Sequence, residues 1–147
     1  MNMRNGGLQL LFDEFQKLPK GVLIDAPDEP ISQGFLVSSK ISFLFFPIPA
    51  KAYFTRRTLK HLSEKGSEGR LLFEHIPIVL KSPNSVYEGD KTRILVGKST
   101  DFEKEGEFYV VVLESVNNRE LIIVTSFVAK QKYLKNFEIL WRTAASP

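Results

Sequence analysis

The chain has 147 residues, of which 43% are hydrophobic and 25% charged, a balance typical of a soluble globular protein rather than a disordered one. The length fits one domain with one substantial core, and the formal net charge of +3 is too small to identify a partner. The chain has no cysteine, which excludes disulfides and thiolate metal sites, and only two histidines, His61 and His75, which argues against a histidine-built zinc site.

The first fifty residues contain one clear helical pattern. Leu8, Leu11, Phe12 and Phe15 recur at helical spacing, so we predict an amphipathic helix over residues 8–18. "GVLID" predicts a strand, "APDEPISQG" a linker, and "FLVSSKISFLFFPI", rich in β-forming residues, one or two further strands. This part is expected to be an extension, residues 1–50, that packs on a main domain of residues 51–147.

The second part of the chain predicts helices followed by a sheet. Thr55 is a candidate helix cap and Gly66 a helix end; the next segment predicts helix on both sides of Pro77, stopped by Pro83. "TRILVGK", "EFYVVVLESV" and "ELIIVTSFV" predict strands, the last two joined as a hairpin through Asn117 and Asn118. "KQKYLKN" predicts a short basic helix or turn, and "FEILWR" a last strand. This order predicts an α+β fold with helices packed on an antiparallel sheet.

The sequence predicts neither a signal peptide nor a membrane-spanning helix. The N-terminal stretch lacks the continuous apolar core of a signal peptide, and the most apolar stretch is broken by polar residues and two prolines. It falls well short of the roughly 20 apolar residues that a span requires. We therefore expect a cytoplasmic protein without a membrane partner.

Three local features are candidates for chemistry. His61 is predicted on a basic helix face with Arg57 and Lys65, where it could exchange a proton next to bound phosphate; a solvated surface histidine is the simpler alternative. His75 lies in an apolar segment and is expected to be structural. The other two features are a strand set carrying Arg93, Lys98, Thr125 and Ser126, and a basic cluster made of Lys130, Lys132, Tyr133 and Lys135.

The strand set could supply two cations and two hydroxyls to one phosphate, if these side chains share a surface. In the basic cluster, the lysines could contact a nucleic-acid backbone while Tyr133 stacks on a base. Ordinary strand residues and a solvated turn are the corresponding alternatives.

The segments "TRRTLKHLSEKG", "IPIVLKSPNSVYEG", "VGK" and "FYVVVLESVNNRELIIVTSFVAKQKYL" occur in an order that resembles the phage-associated branch of the barnase, EndoU, colicin and RelE-like ribonuclease fold. The resemblance covers about residues 51–142, and "IPIVLKSPNSV" is its most specific part. It implies a β-meander beneath the helices and a metal-independent endoribonuclease, without cofactor, of toxin or mobile-element type. RNA would be the substrate, and a proteinaceous inhibitor or a fused or associated phage protein would be a further partner.

The resemblance also implies roles for individual residues. His61 matches the first histidine of the family's helix and would be the general base or acid, and Lys65 takes the place of its arginine. Lys98, with Arg93 as a lesser candidate, would stabilise phosphate charge, and Thr125 or Ser126 would orient the phosphate.

The sequence departs from the family pattern at Gly66, which stands where a second histidine would be. The acid would then be another residue, such as Lys98 or Tyr133, or the domain would bind without catalysis. A non-catalytic nucleic-acid- or protein-binding module on the same scaffold is therefore the main alternative. A third hypothesis is a structural subunit of an assembly, with an exposed apolar patch at Phe43–Phe46.

Overall fold

A computed structural model describes residues 5–18, 34–45, 49–90, 92–100, 106–117 and 120–143. Its helices are α1 (Asn5–Gln16), α2 (Ser39–Phe45), α3 (Arg56–Ser63), α4 (Gly66–Lys81) and α5 (Gln131–Leu134). Its strands are β1 (Phe35–Leu36), β2 (Lys51–Tyr53), β3 (Ser85–Glu88), β4 (Arg93–Ser99), β5 (Glu107–Asn117), β6 (Glu120–Lys130) and β7 (Ile139–Arg142).

The strands that are described form one mixed sheet in the order β1-β2-β6-β5-β4-β3-β7. Every neighbouring pair is antiparallel except β2 and β6, which run parallel. Strands β3 to β6 are consecutive in the chain and adjacent in the sheet, so they form an antiparallel meander. The expected α+β class is confirmed, and so is the pairing of β5 with β6, but the sheet is mixed and not wholly antiparallel as predicted, because β2 pairs in parallel with β6.

The sheet has two apolar faces because side chains alternate along each strand. On β5, Tyr109, Val111 and Leu113 join the core beneath the helices, whereas Val110 and Val112 join a second cluster on the opposite face. Leu134 of α5 belongs to that second cluster. We call these two sides the helix face and the α5 face.

Helix α1 packs into the core on the helix face. The Phe12 ring is fully buried and stacks on Phe73 of α4, with ring centroids 4.7 Å apart. The Arg70 guanidinium donates hydrogen bonds to the Asp13 carboxylate and to Gln16 Oε1, which link α4 to α1. The hydrogen bond from Arg70 is the main reason that the pKa of Asp13 is lowered.

Of the one or two strands predicted in "FLVSSKISFLFFPI", β1 is present, but residues 39–45 form the helix α2 in place of a second strand. Ser38 Oγ accepts a hydrogen bond from the Lys40 amide, and the Ser38 carbonyl accepts hydrogen bonds from the amides of Ile41 and Ser42. A serine in this position caps a helix and stabilises its first turn. Because Ile41 and Ser42 are also buried, packing overrides the β preference of this segment.

The remaining predicted elements follow the sequence pattern closely. Helix α4 runs through Pro77 and ends before Pro83, and α5 and β7 lie where a basic helix and a last strand were predicted. The predicted strand "GVLID" lies outside the described residues. Among the helices that are described, none combines the length and the apolar character that crossing a membrane would require.

Candidate nucleic-acid interface

Helix α3 is fixed against the edge of β6 by two threonines. Thr55 caps the helix as predicted, because its Oγ1 accepts a 3.2 Å hydrogen bond from the Thr58 amide. The Thr58 hydroxyl donates to the Ile123 carbonyl of β6. This contact orients α3 and therefore determines where His61 points.

His61 lies on the exposed side of α3 together with Arg57, as its predicted helix face requires. Partial burial of the ring, and then the nearby Lys65 ammonium, lower the pKa of His61 below its ordinary value, while Glu64 acts in the opposite direction. The lowered pKa favours the neutral imidazole, which is able to accept a proton.

The Lys65 side chain contacts β6, the strand that carries Thr125 and Ser126, at a main-chain carbonyl and not at a hydroxyl. Its Nζ donates a 2.6 Å hydrogen bond to the Ser126 carbonyl, and burial lowers the pKa of this ammonium. The Lys65 ammonium, which was predicted to bind RNA, is thus hydrogen-bonded to the edge of the sheet.

Thr125 and Ser126 do not share a surface, so the condition on which the predicted strand set depends is not met. In the sheet, Thr125 is opposite Val112 and Ser126 is opposite Val111, which lie on the α5 face and the helix face respectively. Ser126 is 1% exposed, and its hydroxyl donates a 2.7 Å hydrogen bond to the Val110 carbonyl. Because this hydroxyl is buried and hydrogen-bonded within the sheet, it is not available to a phosphate.

Lys98 lies two strands from β6, on the helix face, since it is opposite Tyr109. Its Nζ donates a 2.8 Å hydrogen bond to the carbonyl of Ser82, just beyond the end of α4. Lys98 and Thr125 therefore lie on opposite faces of the sheet. The structure does not assemble His61, Lys98, Thr125 and Ser126 into one catalytic cluster.

Two further candidate residues have structural partners. His75 Nδ1 is 2.8 Å from the Leu71 carbonyl and its ring stacks on Tyr109, so the structural role predicted for it is confirmed. Arg93 forms a 2.8 Å ion pair with Glu114 on the neighbouring strand.

Gly66 joins α3 to α4 with a φ of 65°, in the left-handed region that favours glycine. A histidine at this position would be strained.

The residues of the predicted basic cluster lie on α5 and at its two ends. Lys130, Lys132 and Lys135 are exposed, and the Tyr133 ring is 42% exposed. Tyr133 contacts Phe127 edge-on at 5.6 Å between centroids and Phe137 at 5.3 Å. The exposed Tyr133 ring thus packs against two other aromatic rings, and three exposed lysines lie near it in the sequence.

Beside this surface lies a cavity of about 630 Å³ on the α5 face. Its described lining residues are Asn84, Ser85, Tyr87, Ser99, Phe108, Gln131, Leu134, Lys135, Phe137, Ile139, Arg142 and Thr143. Of these, only Lys135 was among the sequence candidates. The available sequence signal was weak: Gly97 interrupts the predicted strand "TRILVGK", and a glycine inside a strand can mark a place where a ligand approaches the sheet.

Within the residues described, no three or more His, Cys, Asp or Glu side chains are grouped so as to hold a metal ion. No family model, no curated protein and no solved structure matches this chain. The ribonuclease resemblance accordingly stays a prediction.

Proposed function

We propose that this chain is a nucleic-acid-binding module that holds single-stranded RNA on the surface around α5 without cleaving it. The observation that carries the proposal is the Tyr133 ring, exposed and supported by Phe127 and Phe137 between exposed lysines. Proteins that bind single strands combine such stacking rings with cations that follow the phosphates.

The charge on this surface favours an anionic partner. Residues 130–142 carry four cationic side chains, Lys130, Lys132, Lys135 and Arg142, and one acidic side chain, Glu138. Glu107 lies opposite Lys130 in the sheet and offsets part of its charge. The excess of cations remains, and phosphate contacts of this kind supply affinity that is independent of sequence.

Binding is favoured over cleavage because the residues predicted to carry out cleavage do not lie together in one site. Ser126 is buried and bonded, and Lys98 and Thr125 lie on opposite faces of the sheet. General acid–base chemistry needs its groups within hydrogen-bond reach of the same substrate atoms. The endoribonuclease hypothesis keeps one supporting feature, the neutral His61 beside Lys65.

For the scaffold, the barnase, EndoU, colicin and RelE-like arrangement is our proposal. It is supported by the succession of α3, α4 and the antiparallel meander β3 to β6. The parallel pairing of β2 with β6 lies outside that meander and adds β1 and β2 to the sheet.

Fluorescence anisotropy with a labelled single-stranded RNA of about ten nucleotides tests the proposal. We expect saturable binding that weakens with salt, and a loss of about 1–3 kcal/mol in Tyr133→Leu, which removes stacking but keeps an apolar side chain. Lys132→Gln should reduce the slope of log K against log salt by about 0.7. Phe43→Ala, which removes an exposed ring from α2, is the matched control and should bind like wild type.

Incubating the same RNA with excess chelator separates the two functions. We expect the RNA to remain intact. Cleavage by the wild type that His61→Ala abolishes would replace the binding proposal with the endoribonuclease hypothesis. Equal RNA affinity in the wild type and Tyr133→Leu would refute the α5 surface as the binding site.

A further inference from the structure

The cavity on the α5 face is built on a row of three residues in adjacent strands. Ser85 of β3 is paired with Arg142 of β7 on one side and with Gly97 of β4 on the other. Directly paired residues place their side chains on the same face, with Cβ atoms roughly 5 Å apart. A cation, a hydroxyl and a position without a side chain therefore lie next to one another.

Among the described residues, the hydroxyl in this row has no hydrogen-bond partner. Ser85 is 3% exposed, and no described donor or acceptor bonds to its Oγ. Leaving a buried hydroxyl unpaired is costly, so native proteins rarely retain one without a reason. A Cβ at Gly97 would lie 3.1 Å from Ser85 Oγ, so the glycine keeps the space beside this hydroxyl open.

The walls of the cavity combine cations with flat apolar groups. Lys135 and Arg142 supply positive charge, and none of the described lining residues is acidic. Phe108 and Phe137 supply ring surface. Asn84 Oδ1 accepts hydrogen bonds from the amide and the hydroxyl of Ser99, which leaves the Asn84 NH₂ group as a donor.

We propose that this cavity binds one nucleotide. Its phosphate interacts with Arg142 and Lys135, its base packs against the rings, and Ser85 Oγ forms a hydrogen bond with it. The volume lies within the 300–1,000 Å³ range of small-molecule sites. The nucleotide is either a free mononucleotide or the phosphorylated end of a single strand. The choice of a nucleotide over other anionic ring compounds rests on the proposed function, because the cavity adjoins the α5 surface.

Isothermal titration of the full chain with the four 5′-ribonucleoside monophosphates, and with the matching nucleosides, tests this site. We expect at least one monophosphate to bind saturably and its nucleoside to bind at least tenfold more weakly. Arg142→Gln should weaken monophosphate binding about tenfold or more, because a charge-assisted bond is lost. Arg56→Gln, an exposed arginine at the start of α3 on the helix face, is the matched control and should have no effect.

Ser85→Ala is the most specific variant, since it removes a hydroxyl that is bonded to none of the described residues. We expect about two- to tenfold weaker binding together with an unchanged or higher melting temperature. No saturable binding of any monophosphate, or equal binding by wild type, Ser85→Ala and Arg142→Gln, would overturn the proposal.

Two comparisons separate this site from the RNA surface and identify the source of the nucleotide. Tyr133→Leu should reduce RNA affinity while keeping mononucleotide affinity, so that either function can fail without the other. Competition by an oligonucleotide with a 5′-phosphate, but not by its unphosphorylated form, assigns the site to a strand end. Failure of both oligonucleotides to compete assigns it to the free mononucleotide.

Discussion

Lys65 Nζ donates a 2.6 Å hydrogen bond to the Ser126 carbonyl, and this contact joins the α3–α4 junction to a part of β6 that β2 does not cover. Among the described residues, strand β2 pairs with β6 at Glu120, Leu121 and Ile122. Beyond Ile122, main-chain carbonyls of β6 accept hydrogen bonds from the side chains of Thr58 and Lys65. The same lysine lies close enough to His61 to influence its protonation.

We expect Lys65→Gln to raise the pKa of His61. The substitution removes the nearby positive charge, whereas the larger cause of the lowered pKa, partial burial of the ring, remains. The new pKa should therefore stay below the ordinary value of 6.5. An NMR titration of the His61 ring measures it, and Glu64→Gln, which removes the raising influence, should shift it the other way.

The lowered pKa of His61 also predicts how stability depends on pH. In the unfolded chain the imidazole takes up a proton near pH 6.5, before it does so in the folded protein. The unfolded state then binds more protons, so the free energy of unfolding decreases as pH falls from about 6.5 towards the folded pKa. Denaturant unfolding at several pH values should show a smaller decrease in His61→Gln, and an equal decrease would contradict this assignment.

Ser85 and Ser126 predict opposite effects of the same substitution. Both are buried in the sheet, at 3% and 1% exposure, but Ser126 Oγ donates to the Val110 carbonyl whereas Ser85 Oγ has no partner in the part of the chain that the structure describes. Ser126→Ala should lower the free energy of unfolding by about 1 kcal/mol, and Ser85→Ala should leave it unchanged or raise it by about 1 kcal/mol. Urea unfolding of the two variants measures this difference, and equal losses would show that Ser85 is bonded in solution.

Much of the sheet could be predicted from the sequence because its strands carry dense β-branched and aromatic residues between turn signals. "ELIIVTSFV" and "EFYVVVLESV" correspond to β6 and β5 almost residue for residue. The segment of α2 has a similar composition, yet it is helical. The cap at Ser38 and the burial of Ile41 decide its conformation, and tertiary packing of this kind is not visible in local composition.

The candidate site was less predictable because it depends on which face each side chain occupies. Consecutive strand residues point to opposite faces, so Thr125 and Ser126 could act together only if the strand ended there. β6 instead continues to Lys130. A register irregularity between Val112 and Leu113 of β5 changes which of the β6 side chains point to each face of the sheet at that position. The Arg142–Ser85–Gly97 row joins three strands, and only the sheet order brings it together.

Thr55 is expected to contribute to stability through its cap on α3. Its Oγ1 accepts from the Thr58 amide and lies 3.0 Å from the Thr58 hydroxyl, which in turn reaches β6. Thr55→Ala should lower the free energy of unfolding by about 1–2 kcal/mol. Thr55→Ser keeps the capping oxygen and should lose much less, so chemical denaturation of both variants separates the cap from the lost methyl group. A loss of the same size in both would contradict the capping role.

Phe12 provides a test of how far α1 shares the core of the later residues. Its ring is fully buried, stacks on Phe73 and lies under the Arg70 guanidinium, 5.2 Å from ring centroid to Cζ. Phe12→Ala should lower the free energy of unfolding by about 3–5 kcal/mol, the usual loss for a buried aromatic ring. Phe43→Ala, at a ring that is 61% exposed on α2, should change it by no more than about 0.5 kcal/mol.

Urea unfolding followed by both circular dichroism and Trp141 fluorescence tests this expectation, because Trp141 lies on β7 and packs against the same core. If α1 and the sheet form one cooperative unit, the two signals should shift together to lower urea in Phe12→Ala. A loss of helical signal at low urea, with the Trp141 transition unchanged, would mean that α1 is an independent element. Since the stacking partner Phe73 lies in α4, which packs directly on β5 and β6, we expect the single shifted transition.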